Sequence, residues 1–203
     1  MIKKKLIIFD LDGVLINSKP NMKKSLDLTS RKLKIKLHFK IYEKYLGLPF
    51  PKILNKMNIK NRIDEIKKNY EFFSLKNLNK IKINKNHLND LKKLRREFYL
   101  SVFTSKSKLR TKKILNQYNL FDFFISADDV KFGKPNPEGL NKILKKFKVN
   151  NKNAIFVGDS IYDYKASKKA NIRYLHAKWG YQKNNFSKKI KVINRLYNIK
   201  KFF

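Results

Sequence analysis

The sequence predicts an α/β fold with a mostly parallel sheet and helices on both of its faces, and three features predict it. The run Leu6 to Phe9 is unbroken and apolar, and Asp10, Asp12 and Gly13 close it, as expected of a buried parallel strand ending in a polar loop. From residue 86 onward, short β-like runs alternate with helical patterns, the signature of crossover units. Several of those runs end in acidic or hydroxylic residues, and open α/β sheets place their chemistry outside the carboxyl ends of the strands.

Between Asn17 and Lys85 the period changes. Leu26, Leu33 and Leu37, then Ile59, Ile63, Ile66, Tyr70 and Phe73, recur mostly at steps of three and four, and Pro49 and Pro51 interrupt the run. The expected organisation is therefore a helical insertion over 17–85, with 1–16 and 86–203 forming the sheet-bearing core. An insertion at the carboxyl edge of a sheet overhangs the active loop, and its pattern fits a lid or a packing block equally. Beyond it, Leu88, Leu91 and Leu94 mark a helix, Phe98 to Phe103 a strand, Leu109 to Tyr118 a helix and Phe123 to Ile125 a short strand. Leu140, Ile143, Leu144 and Phe147 mark a helix, Ala154 to Val157 a strand, Tyr162 to Ala170 a helix and Ile172 to Leu175 a strand. Phe186, Ile190, Ile193 and Tyr197 predict a last amphipathic helix.

Composition narrows the function. A length of 203 residues suits one domain with a modest insertion. The formal charge of +35, from 50 Lys and Arg against 15 Asp and Glu, would ordinarily point to nucleic acid. Here lysine is spread over every predicted element and travels with Asn, Ile, Phe and Tyr, as an A/T-rich coding sequence produces, and no basic arm or Arg-rich helix stands out. No specific nucleic-acid partner is expected; diffuse attraction of anions is the physical by-product. Cysteine is absent, which excludes disulfides and thiolate metal sites. The apolar run behind the basic MIKKK start breaks at Asp10, too soon for a signal peptide or membrane span, so a cytoplasmic protein without a membrane partner is expected.

The chemistry lies in the strand-end residues. Asp10 and Asp12 flank Leu11, so in extended backbone their carboxylates leave on one side, where a hard cation would relieve their repulsion. The same Asp-x-Asp-Gly string also fits a simple turn. The run YLSVF stops at Thr104-Ser105, AIFV stops at Gly158-Asp159-Ser160, and Lys134 sits between Gly133 and Pro135. Each has a plain alternative: Thr104 or Ser105 could cap the next helix, Ser160 with Asp163 fits a capping box, and Lys134 is one lysine among many. Together they make a receptor for a dianionic phosphate that also contains a nucleophile.

These residues are where the chain resembles the haloacid dehalogenase-like hydrolase superfamily, in the branch of phosphatases similar to phosphoglycolate phosphatase and β-phosphoglucomutase. The four motifs read FDLDGVL from Phe9, TS at Thr104-Ser105, GKPNPE from Gly133 and VGDSIYD ending at Asp163. The resemblance implies a Rossmann-like sheet, a helical cap formed by the insertion, Mg2+, and an aspartyl-phosphate intermediate. It implies Asp10 as nucleophile and Asp12 as general acid and base. Thr104, Ser105 and Lys134 would hold the phosphate. Asp10, Asp159 and the backbone carbonyl of Asp12 would hold the metal, with Asp163 supporting it. The second aspartate favours phosphoryl transfer over dehalogenation. Two departures stand out: Asn17-Ser18 where relatives often have Asp-Ser, and Ser105 where asparagine is common. The expected function is Mg2+-dependent hydrolysis of a small phosphorylated metabolite; the alternatives are a sugar phosphomutase and a noncatalytic basic binding protein.

Overall fold

The computed structural model describes residues 4–78, 81–183 and 189–203. Six strands, β1 (Lys5–Phe9), β2 (Phe98–Phe103), β3 (Phe123–Ile125), β4 (Ala154–Gly158), β5 (Arg173–Ala177) and β6 (Lys191–Ile193), form one sheet in the order β3-β2-β1-β4-β5-β6. Every neighbouring pair is parallel. The chain lays β2 and β3 to one side of β1, then returns to place β4 on the other side. This reversal opens a crevice at the carboxyl ends of β1, β2 and β4, which are followed by Asp10, Thr104 and Asp159.

Between β1 and β2 lie α1 (Lys19–Leu33), α2 (Phe39–Tyr42), α3 (Phe50–Lys56) and α4 (Ile63–Lys76). Pro49 and Pro51, which interrupt the helical pattern, mark the start of α3, where a missing backbone donor costs nothing. These helices bury an apolar cluster of their own that includes Leu26, Tyr42, Leu54, Ile66 and Tyr70. Each fully buried large side chain of this kind contributes roughly 1.5–3 kcal/mol. A buried polar clasp joins α1 to α4: the Asn21 amide donates to the Ser74 carbonyl at 3.1 Å, and the Ser74 hydroxyl donates to Asn21 Oδ1 at 2.8 Å.

The period of two along β1 divides the core between the two faces of the sheet. Ile7 and Phe9 pack with Leu91 and Leu94 of α5 (Lys85–Arg95) and Ile114 of α6 (Lys108–Leu115). Leu6 and Ile8 pack with Leu140 and Ile143 of α7 (Glu138–Phe147) and Ala166 of α8 (Ile161–Lys169). Helices therefore cover both faces, as the alternation predicts. Gly139 lets α7 approach the end of β2, because a Cβ there would fall on the Phe103 ring. Gly139→Ala is expected to lower stability by roughly 1–3 kcal/mol from overpacking, less about 1 kcal/mol regained as helix propensity. Chemical denaturation measures the difference.

The carboxyl-terminal segment differs from expectation. Instead of one amphipathic helix through Ile190, Ile193 and Tyr197, the chain forms β6 and then a 3-10 helix over Leu196–Phe202; Phe186 lies outside the described residues. Pairing of Leu175, His176 and Ala177 with Lys191, Val192 and Ile193 satisfies the backbone edge of β5, which a helix would have left open. Among the described residues, no helix is long and apolar enough to cross a membrane.

Candidate active site

Asp10 continues β1, and its N–H donates to the Val157 carbonyl of β4 at 2.8 Å, which fixes the loop against the neighbouring strand. Its Oδ1 meets Lys134 Nζ at 2.8 Å. Lys134 enters from the loop between β3 and α7 and also meets Asp163 Oδ1 at 2.7 Å. Asp163 lies in the first turn of α8, where its other oxygen accepts from the Ser160 N–H at 3.0 Å and the Ser160 hydroxyl at 2.5 Å. The capping box and the contact with Lys134 therefore coexist on one carboxylate.

Asp159 follows β4, and its Oδ2 accepts from the Tyr181 N–H at 2.5 Å. Ligand atoms of Asp10, Asp159 and Asp163 lie within 4.8 Å of one another, all buried. Two of these three carboxylates, Asp10 and Asp163, share one ammonium. Burial, opposed by Lys134, pushes the Asp10 carboxyl up to about 7, with Asp163 and Asp12 adding to the rise. Burial, then Asp10 and Asp163, holds Asp159 well above the carboxylate range. Burial would lower Lys134, but Asp10 and Asp163 outweigh it and raise the ammonium above the lysine range. This oxygen-only set with excess negative charge suits a hard divalent cation.

The loop geometry that brings these groups together depends on Gly13. Its φ of +85° lies in the left-handed region, and a Cβ there would collide with the Asp159 carboxylate. Gly13→Ala is expected to keep the circular dichroism of the fold and to lower turnover by about tenfold or more, since it must displace a group at the centre of the site. An unchanged rate would show that the loop has room to spare.

The remaining predicted residues occupy more varied places. Thr104 is buried, and its hydroxyl oxygen accepts from the Lys106 N–H at 3.2 Å. Ser107 occupies the N-cap position of α6, so neither Thr104 nor Ser105 caps that helix. The Ser105 hydroxyl donates to the Gly47 carbonyl at 2.7 Å, joining the loop after β2 to the inserted helices. Asp12 stands apart from the three clustered carboxylates: its Oδ1 accepts from the Ser18 hydroxyl and meets Lys106 Nζ at 3.0 Å. Asp10, Asp12, Thr104, Ser105, Lys134 and Asp159 all line one cavity of about 40 Å³.

A family model described as haloacid dehalogenase-like hydrolase matches residues 7–177, which span the sheet from β1 to β5 and every residue of this cluster. The chain belongs to the haloacid dehalogenase-like hydrolases. It is 31% identical over 192 residues to a phosphoglycolate phosphatase from Aquifex aeolicus, covering 89% of this chain and 88% of that protein. It is 24% identical over 187 residues to a pyrophosphatase PpaX from Oceanobacillus iheyensis, covering 90% and 87%. The fold is shared with CbbY from Rhodobacter sphaeroides, solved with phosphate, at a TM-score of 0.80, 16% identity and coverage of 97% and 96%.

In this haloacid dehalogenase-like hydrolase, some residues at the cavity carry no clear signal in the sequence. Lys106 and Arg110 are both buried and line the cavity, yet nothing marks them among 50 basic residues. Tyr181 reads from its WGY context as packing near the sheet edge. Trp179 does pack in that way, donating from its ring to the Val14 carbonyl at 2.9 Å. Tyr181 instead reaches the site, where its hydroxyl accepts from the Ser18 N–H at 2.7 Å and its own N–H holds Asp159.

Proposed function

We propose that this protein is a Mg2+-dependent phosphatase that hydrolyses a small phosphomonoester through a phosphoryl group carried on Asp10. The observation that carries the reading is the buried pairing of Asp10 with Lys134 beside Asp159 and Asp163. A carboxylate can approach a dianionic phosphate only where repulsion is cancelled, and this corner supplies an ammonium and an oxygen set for a cation. Relatives named for phosphoglycolate and pyrophosphate cleavage support a small phosphorylated substrate.

In this reading, an Asp10 oxygen attacks phosphorus and the ester P–O bond breaks, while Asp12 gives a proton to the departing oxygen. Water then attacks the acyl phosphate with Asp12 taking its proton; inorganic phosphate leaves and Asp10 is restored. Thr104 orients the transferring oxygens. Lys134 neutralises nucleophile and phosphate. Asp10, Asp159 and the Asp12 backbone carbonyl would hold Mg2+, which supplies charge neutralisation and a template for the phosphate oxygens. Asp163, with one oxygen on Lys134 and the other on Ser160, acts by orienting that lysine and supporting the metal site. Helices α1 to α4 serve as the cap over the cavity.

The test is a time course with Mg2+ and a panel of phosphorylated metabolites that follows free phosphate and sugar-phosphate isomers together. Net phosphate release is expected. Isomerisation without release would point to the mutase reading instead.

A further inference from the structure

We infer that Tyr181 is a positioning residue for proton transfer: its hydroxyl fixes Ser18, and Ser18 fixes the Asp12 carboxyl so that Oδ2 carries the proton given to the leaving group. The inference rests on the phosphatase reading and adds to it the means by which the acid is oriented. Ser18 stands at the N-cap of α1, where a serine hydroxyl ordinarily accepts from the first turn of its own helix. Here it makes no such bond. The fully buried Ser18 donates its hydroxyl to Asp12 Oδ1 instead. A cap given up for a carboxylate six residues upstream is a local rule broken at a place of chemistry.

Tyr181 keeps Ser18 in that orientation. The Ser18 N–H donates to the Tyr181 hydroxyl oxygen at 2.7 Å, and the Tyr181 hydroxyl can donate in turn to Asn17 Oδ1 at 3.2 Å. Without the phenol oxygen, a buried N–H would lose its partner, so this stretch of backbone would have to shift to find another. Tyr181 is itself held at both ends. Its own N–H donates to Asp159 Oδ2, and the Lys19 ammonium lies 4.8 Å from its ring centroid. The tyrosine thus ties the loop after β5 to the first residues of the cap.

Asp12 Oδ1 also meets Lys106 Nζ at 3.0 Å, so this one oxygen takes two donors, while none among the described residues falls on Oδ2. A carboxyl oxygen offers about two lone-pair sites, and those of Oδ1 are filled, which leaves the acid proton on Oδ2. When the ester P–O bond breaks, its electron pair stays on the departing oxygen, which takes that proton and leaves as the alcohol. Asp12 is then a carboxylate, with Ser18 and Lys106 already in place on Oδ1 to hold its charge. The terminal torsion of an aspartate is broad and two-fold, so without Ser18 either oxygen could turn toward the leaving group.

The test compares acetyl phosphate with ethyl phosphate by kcat/KM in Mg2+, using the full chain. The two are of nearly equal size, but acetate leaves without a proton and ethoxide needs one. Because kcat/KM covers the steps up to phosphorylation of Asp10, the later hydrolysis does not enter. The acetyl-to-ethyl ratio should rise about 100-fold in Asp12→Asn, the control for loss of the acid. It should rise about tenfold in Tyr181→Phe, which keeps the ring, and in Ser18→Ala, with Ser18→Thr recovering most of the loss. In the Ser18→Ala protein, adding Tyr181→Phe should change the ratio by less than about twofold, because both act through one contact. Melting curves identify the variants that remain folded. A role in packing alone would slow both compounds alike, so a wild-type ratio in folded Tyr181→Phe, with a raised one in Asp12→Asn, overturns the inference alone; additive effects in the double variant do the same. An unchanged ratio in Asp12→Asn takes the acid role from Asp12 and overturns the inference with it. If neither compound is hydrolysed, the phosphatase reading fails on its own, and the positioning is judged by crystallography. Tyr181→Phe should then lose the hydrogen bond from Ser18 to Asp12; its retention overturns the inference.

Discussion

Replacing Asp10 with asparagine is expected to lower turnover by three orders of magnitude or more, on the order of what loss of a covalent nucleophile costs in other enzymes. The amide has nearly the same shape and can still accept from the Leu11 N–H, which now bonds Asp10 Oδ1 at 2.7 Å. It cannot displace an alkoxide from phosphorus. The fold should survive, because removing one negative charge relieves the crowding of Asp10 with Asp159 and Asp163. Lys134 keeps its second partner, Asp163. A near-wild-type melting temperature with abolished activity is the expected pair of results. Full activity in Asp10→Asn would place the chemistry elsewhere.

Metal removal has the other large expected effect. Thorough chelation should abolish hydrolysis, and Mg2+ should restore it, since without a cation the buried carboxylates of Asp10 and Asp159 stand against the phosphate with the Lys134 ammonium alone to offset them. Asp159→Ala should weaken Mg2+ activation by about 100-fold, and Asp163→Ala, which removes a supporting group, by less. The reason lies in their existing bonds. Asp163 already spends both oxygens, one on Lys134 and one on Ser160, whereas the hydrogen bond to Asp159 falls on Oδ2 from the Tyr181 N–H. Asp163→Ala should also lower stability by roughly 0.5–2 kcal/mol, because it removes the capping box of α8. Titrating activity against Mg2+ in each variant separates the two roles; the reverse order would exchange them.

Much of the fold is legible in the sequence because burial dictates composition. β1 and β4 are covered on both faces, so Leu6 to Phe9 and Ala154 to Val157 carry uninterrupted apolar runs, and the residues that break them are the ones at the crevice. The end of the chain reads as an amphipathic helix where the structure has a strand and a 3-10 helix, for the opposite reason. β6 is a three-residue edge strand with Val192 exposed, and so short an apolar run has no period of its own. At the candidate site, Asp10, Lys134 and the pair Asp159 and Asp163 come from three distant stretches of the sequence, and the strand-end rule is what anticipates their meeting. Lys106 and Arg110 were illegible because a basic background hides any single cation; only burial distinguishes them. The contacts of the Ser105 hydroxyl and of Tyr181 are illegible in the sequence because their partners, Gly47 and Ser18, belong to the inserted segment, whose docking onto the sheet leaves no local pattern.

The proposed reaction passes its phosphoryl group through Asp10, and the most direct measurement catches it there. Protein turning over its preferred ester in Mg2+ is quenched in acid, digested and analysed by mass spectrometry. The peptide containing Asp10 should gain the mass of one phosphoryl group, lose it on treatment with hydroxylamine, and show no gain in Asp10→Asn. Active protein that never carries that mass on Asp10, or carries it on another residue, would contradict covalent catalysis by Asp10.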